Sequence, residues 1–197
     1  MKRQLPSDFA FAAQVVAIGA SAGGIDALFE LLEPLRDPVR APIVVVLHLP
    51  EQHESRLVQV FGHRTRLPVE EAQPHAPVAG GTLFFAPPGY HLLVERDRSF
   101  SLSCDPPVHF SRPSIDVFFE SCADTYGAQL LAMVLTGAND DGARGLAAVK
   151  AAGGLTAVQD PLEALHPAMP EAAIRLADPD FVLPLQGLAS LLQTAIR

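Results

Sequence analysis

The strongest constraint on what this chain can fold into is a short apolar run, Val15-Val16-Ala17-Ile18, that stops abruptly in Gly19-Ala20-Ser21-Ala22-Gly23-Gly24. An apolar run of strand length, then small residues, then an amphipathic period marks a strand-to-helix turn. The period follows at once, with Ile25, Leu28, Phe29 and Leu32 at i, i+3, i+4 and i+7. The same alternation continues along the chain. Strands are expected at 43–47, 69–73, 83–86, 130–135, 155–159 and 181–185, and helices at 53–64, 114–126, 142–152, 170–176 and 188–196. Segments 91–95 and 99–103 flank Arg96-Asp97-Arg98 as a hairpin. Strands that alternate with helices form right-handed βαβ units. The expected fold is α/β: a doubly wound, mostly parallel sheet with helices on both faces and an antiparallel β-hairpin insertion. One domain is expected over 15–197, after an irregular tail of 1–14.

Composition narrows the function. The 197 residues are 49% hydrophobic, which suits a packed core, and carry a formal net charge of −8. No lysine- or arginine-rich run exists, which argues against a nucleic-acid or anionic-membrane partner. No apolar run reaches the length of a membrane span, and the first residues lack a secretory signal, so a cytoplasmic location is expected without membrane insertion. The two cysteines, Cys104 and Cys122, form no CxxC pair and no HExxH pair is present, so no metal is expected; no cofactor is expected either. Cys122 falls in line with Ile115, Phe118 and Phe119 as a core residue.

Gly19, Ser21 and Gly23 have the G-x-S-x-G spacing of a nucleophile elbow. A serine there needs neighbours without side chains, so that its Oγ projects and a substrate can approach. The turn also reads as a phosphate cradle or as a capped helix start. In open α/β sheets ligand chemistry gathers beyond the carboxyl ends of the strands. His48 follows the second expected strand, and Asp140 and Asp141 follow the strand at 130–135. Serine, histidine and carboxylate on one rim have the parts of an acyl-transfer triad, whose order along a chain varies. Each has a structural alternative: a packed strand-end histidine, or an aspartate capping the next helix. Of the other histidines, His53, His63 and His75 fall in polar segments and His91 on the hairpin, whereas His109 and His166 are rival bases on loops.

Several motifs in order extend the case. VVAIGASAGGIDAL, VVVLHLP, LFFAPPGYHLLV, SRPSIDVFFESCA, LLAMVLTGANDDGARGLAAVKAAGG and AVQDPLEALHPAMPEAAI together resemble the catalytic domain of CheB-type chemotaxis receptor methylesterases, from about Val15 to Leu192. The resemblance implies Ser21 as nucleophile, His48 as base and Asp141, rather than Asp140, as its partner. It implies main-chain oxyanion donors at Ala22 and Ala138, although family members commonly carry Met-Gly where this chain has Ala138-Asn139. It places Arg112 beside the site, as a substrate contact or a cover for the next helix. The implied partners are methyl-accepting chemotaxis receptors through helical cytoplasmic segments, and the implied reaction is glutamate methyl-ester hydrolysis, with glutamine deamidation as a relative. About 14 residues precede the first strand, too few for the family's usual receiver domain. A stand-alone esterase or a separated catalytic domain is therefore expected, and phospho-control is not carried over. An esterase for another substrate and a non-catalytic anion-binding or regulatory domain are the other readings. Oligomeric state is left open.

Overall fold

The structure, a computed structural model, describes residues 2, 4–6, 9–35, 39–48 and 56–196. Seven parallel strands form the main sheet: β1 (Val15–Ala20), β2 (Ile43–Leu47), β3 (Val69–Glu71), β4 (Leu83–Phe85), β7 (Leu130–Val134), β8 (Leu155–Gln159) and β9 (Phe181–Leu183). The antiparallel pair β5 (His91–Val94) and β6 (Phe100–Ser103) is a separate hairpin. The helices are α1 (Gly24–Leu32), α2 (Leu57–Gly62), α3 (Ile115–Tyr126), α4 (Ala143–Ala151), α5 (Ala168–Ala177) and α6 (Leu185–Ala195).

Spatial order in the sheet is β3-β4-β2-β1-β7-β8-β9. The chain lays β2 on one side of β1 and, much later, β7 on the other. Strand order therefore reverses at β1, and the crevice beyond the carboxyl ends of β1 and β7 is where such sheets bind ligands.

The central strands are apolar throughout because both of their faces are covered. Alternate residues of β1 feed two cores. Val16 and Ile18 pack with Leu28 and Leu31 of α1 and with Leu188 and Leu192 of α6. Val15 and Ala17 pack with Phe118 and Phe119 of α3, Leu146 and Val149 of α4 and Met169 of α5. Cys122 lies fully buried in this second core, and burial pushes its thiol far above the usual range, so it is chemically inert. The hairpin closes the same face through Leu92, Val94 and Phe100.

Boundaries differ from the sequence expectation where proline chemistry intervenes. Helix α5 begins at Ala168, not at Pro170, because a proline in the first turn has no helical N–H to lose. Helix α6 begins at Leu185, directly after Pro184, and shortens the expected last strand. Of the helix expected over 53–64, the described part is Leu57–Gly62, and residues before Arg56 lie outside the described residues. The described residues of the N-terminal segment have little regular structure, yet Leu5, Phe9 and Phe11 pack against the first core, and Lys2 bridges β9 at Phe181.

Candidate active site

Three neighbouring strands, β2, β1 and β7, deliver the site. Ser21 is the first residue after β1, and its N–H donates to the Thr136 carbonyl beyond β7. Ala20 pairs with Leu47 across β1 and β2, and the His48 N–H donates to the Ala20 carbonyl at 3.1 Å. Ser21 and His48 thus take the next places on adjacent parallel strands, whose backbones run about 4.8 Å apart.

His48 Nε2 lies 2.9 Å from Asp141 Oδ2. A carboxylate only accepts, so the proton sits on Nε2 and Nδ1 is the basic ring nitrogen. Nδ1 faces Ser111 Oγ at 3.4 Å, the long limit of a hydrogen bond. An imidazole with one nitrogen bound to a carboxylate and the other turned toward a hydroxyl is poised to move a proton.

Asp141 is fully buried, and its carboxylate is saturated. Oδ1 accepts from Ser114 Oγ and the Asp116 N–H, and Oδ2 accepts from the Ile115 N–H and His48. Burial alone would raise its pKa. The His48 hydrogen bond and the two amides of the α3 N-terminus outweigh burial and hold the carboxyl below the usual range. A helix N-terminus favours an anion through both its unsatisfied N–H groups and its dipole. Local sequence builds that terminus: Ser114 is the N-cap of α3, and its Oγ accepts from the Val117 N–H.

The rival residues are placed elsewhere. Asp140, more than half exposed, pairs with His109 Nδ1 at 2.9 Å. His109 Nε2 lies 3.4 Å from Asp116 Oδ2, on the α3 side of the same network. His166 contributes main-chain groups: its N–H donates to Thr136 Oγ1, and its carbonyl accepts from Gly137. His63 and His75 are exposed, while His53 lies outside the described residues. His91 is buried, with Nδ1 accepting from the Ser114 N–H and Nε2 donating to the Pro106 carbonyl. Side-chain atoms of His109, Asp116 and Asp141 lie within 4.8 Å of one another, a spacing that a cation could bridge. Both Asp141 oxygens already accept two hydrogen bonds each, so the cluster reads as an ion-pair network.

Ala22 lies in the turn after Ser21, where its carbonyl accepts from Thr136 Oγ1, and Ala138 lies exposed on the loop after β7. Arg112 turns Nη1 to the carbonyls of Cys104 and Asp105 and so ties down the loop that carries Ser111.

Four supporting residues escaped sequence reasoning: Ser114, Asp116, Thr136 and Gln159. Thr136 holds the Ser21 turn through its carbonyl and hydroxyl, and Gln159 Oε1 accepts the Thr136 N–H at 2.8 Å. Ser114 had a legible signal, a hydroxyl residue before an apolar period. The other three are polar residues at strand ends or in a helix, positions where solvent exposure is the ordinary reading.

Comparison with known proteins places the chain in a family. The family profile described as CheB methylesterase matches residues 16–192. A Leptospira interrogans protein, provisionally named protein-glutamate methylesterase/protein-glutamine glutaminase, is 41% identical over 178 residues, covering 90% of this chain and 92% of its own length. A Hahella chejuensis protein-glutamate methylesterase/protein-glutamine glutaminase is 38% identical over 92% of this chain, but the chain spans only 51% of that relative. The solved CheB methylesterase catalytic domain of Thermotoga maritima superimposes with a TM-score of 0.88 at 29% identity, covering 92% of this chain and 98% of its own. The chain belongs to the CheB methylesterase family.

Proposed function

We propose that the chain is a serine hydrolase that removes methyl esters from glutamate side chains of chemotaxis receptors, acting on their cytoplasmic segments. Ser21 Oγ attacks the ester carbonyl carbon while His48 Nδ1 takes its proton. The oxyanion faces the main-chain N–H groups of Ala22, in the turn before α1, and of Ala138, in the loop after β7. His48 passes its proton to the departing methoxide, which leaves as methanol. Water, deprotonated by the same nitrogen, then releases glutamate and restores Ser21. Asp141 keeps the imidazole in the tautomer that leaves Nδ1 basic and stabilises its charged form. Arg112 supports the flank of the site through the loop it ties down.

The observation that carries this reading is the 2.9 Å contact of His48 Nε2 with the buried Asp141 carboxylate, one strand away from the Ser21 turn. Relatives whose names include protein-glutamine glutaminase favour a second activity, attack on a glutamine side chain with release of ammonia. Ammonia is the poorer leaving group, so deamidation is expected to be the slower reaction.

The test is methanol release from methyl-labelled receptor, with Ser21→Ala as control. Release by wild type and not by the variant supports the reading. Equal, slow release by both overturns it, and release only from a small non-protein ester redirects it to another substrate. An anion-binding module predicts no turnover of either.

A further inference from the structure

One buried carboxylate beside the site has no part in the proposed chemistry. Asp116, in the first turn of α3, is fully buried. Its Oδ1 accepts from the Gly142 N–H at 2.9 Å and from the Gly145 N–H at 2.7 Å. Gly142 follows Asp141 directly and is the N-cap of α4. The arrangement is reciprocal. Asp141, just before α4, receives the first amides of α3, and Asp116, inside α3, receives the first amides of α4.

We propose that Asp116 is a positioning residue for the reaction, clamping the α4 N-terminus to that of α3 so that the Asp141 carboxylate meets His48. The inference rests on the proposed roles of Ser21, His48 and Asp141.

Three observations support it. The clamp acts on the residue adjoining Asp141, so slack there moves the carboxylate directly. Helix α4 opens without a side-chain cap of its own, with Gly142 at φ 93°, so Asp116 supplies the acceptor that the helix start lacks. The arrangement is also costly to keep. Burial, then the nearby Asp141 charge, raise the Asp116 carboxyl above its usual range against the pull of the Gly145 amide, Arg144 and His109. Its Oδ2 accepts no hydrogen bond among the described residues and faces His109 Nε2 at 3.4 Å and Arg144 Nε at 3.6 Å. A residue serving only to fill space would be better apolar.

Asparagine keeps an oxygen for both glycine amides, whereas alanine and serine cannot span to them. The experiment measures kcat, KM and the pH profile of methanol release for wild type, Asp116→Asn, Asp116→Ala and Asp116→Ser, normalised to folded protein. The downfield proton of His48 Nε2, read by NMR, accompanies each. A shift of about 1 Å in a catalytic group can cost up to about 10²-fold. Alanine and serine are expected to lower kcat about tenfold with KM nearly constant, to weaken the downfield signal and to move the acid limb of kcat/KM to lower pH, since the imidazolium loses its counter-charge. Asparagine is expected to stay within about threefold of wild type. Serine stands in if alanine does not fold. Full kcat in either truncation, or a loss that vanishes on normalisation with the pH limb unmoved, overturns the proposal. An asparagine variant as slow as alanine overturns the clamp in favour of charge. A wild type that releases no methanol overturns the proposed reaction instead, and the His48 proton still reads the clamp.

Discussion

Two helix N-termini face the same crevice and are built in opposite ways. Helix α1, directly after Ser21, starts at Gly23 in the left-handed region and has no side-chain cap. Helix α3 starts at Ser114, whose hydroxyl caps it, and receives a buried carboxylate from the loop after β7. Both ends carry the positive pole of a helix dipole. At α3 the protein supplies the anion itself and fixes it in place with four hydrogen bonds. At α1 it supplies none, and in the proposed reaction the anion arrives as the substrate's developing oxyanion. One terminus is an interior joint, and the other, in the proposed reaction, is the working surface.

The largest expected effect separates these roles. Ser21→Ala should lower methanol release by roughly 10⁴–10⁶, the scale on which triad members act as a unit, while leaving the thermal midpoint nearly unchanged. Asp141→Asn should lower release by roughly 10⁴ and also lower the midpoint, because its amide group would meet one of four buried donors. Activity and calorimetry on the two variants check this. A Ser21→Ala variant as destabilised as Asp141→Asn would erase the distinction.

Next comes the packing that joins the two ends. Ile115, the first residue of α3, covers both Gly19 and Gly142. A Cβ on Gly19 would lie well inside contact distance of Ile115 Cγ2, and one on Gly142 would lie 2.7 Å from the same atom. Gly19→Ala and Gly142→Ala should each destabilise the protein by about 1–3 kcal/mol through overpacking. Adding Ile115→Ala should rescue Gly19→Ala, whose problem is steric alone. It should rescue Gly142→Ala only in part, since φ 93° stays strained for any side chain after the clash with Ile115 is relieved. A denaturant-unfolding double-mutant cycle reads the coupling, and equal rescue of both would refute the assignment.

The smallest effect is acid sensitivity. The Asp141 carboxyl is held below its unfolded value, so its stabilisation is complete above the unfolded pKa of about 3.9 and is lost as pH falls through the lower folded value. The stability gap between wild type and Asp141→Asn should therefore narrow below about pH 4. The raised Asp116 carboxyl acts with the opposite sign, favouring the folded state as it gains its proton. Urea unfolding at pH 6 and pH 3 checks the gap, and a constant difference would show that Asp141 is not held as a carboxylate.

Much of this was legible from residues alone. The apolar runs and their spacing named the α/β class, and the rule that chemistry gathers at strand ends singled out Ser21 and His48. The pair Asp140 and Asp141 was not separable that way, because adjacent aspartates before a helix look alike. Family resemblance favoured Asp141, and the fold separates the two physically: Asp141 turns inward to α3, and Asp140 turns outward to His109. Asp116 was invisible as a supporting residue, since an aspartate in the first turn of a helix ordinarily faces water.

The sequence by itself determined the elements and the strand-end candidates, because periodicity and turn chemistry act over a few neighbouring residues. The tertiary structure alone decided that β7 lies against β1 and that α3 and α4 exchange carboxylates. The strand pairing joins residues 115 positions apart, and the carboxylate contacts join residues 25 to 29 apart. No local pattern encodes them, and they form only when both cores close on the sheet.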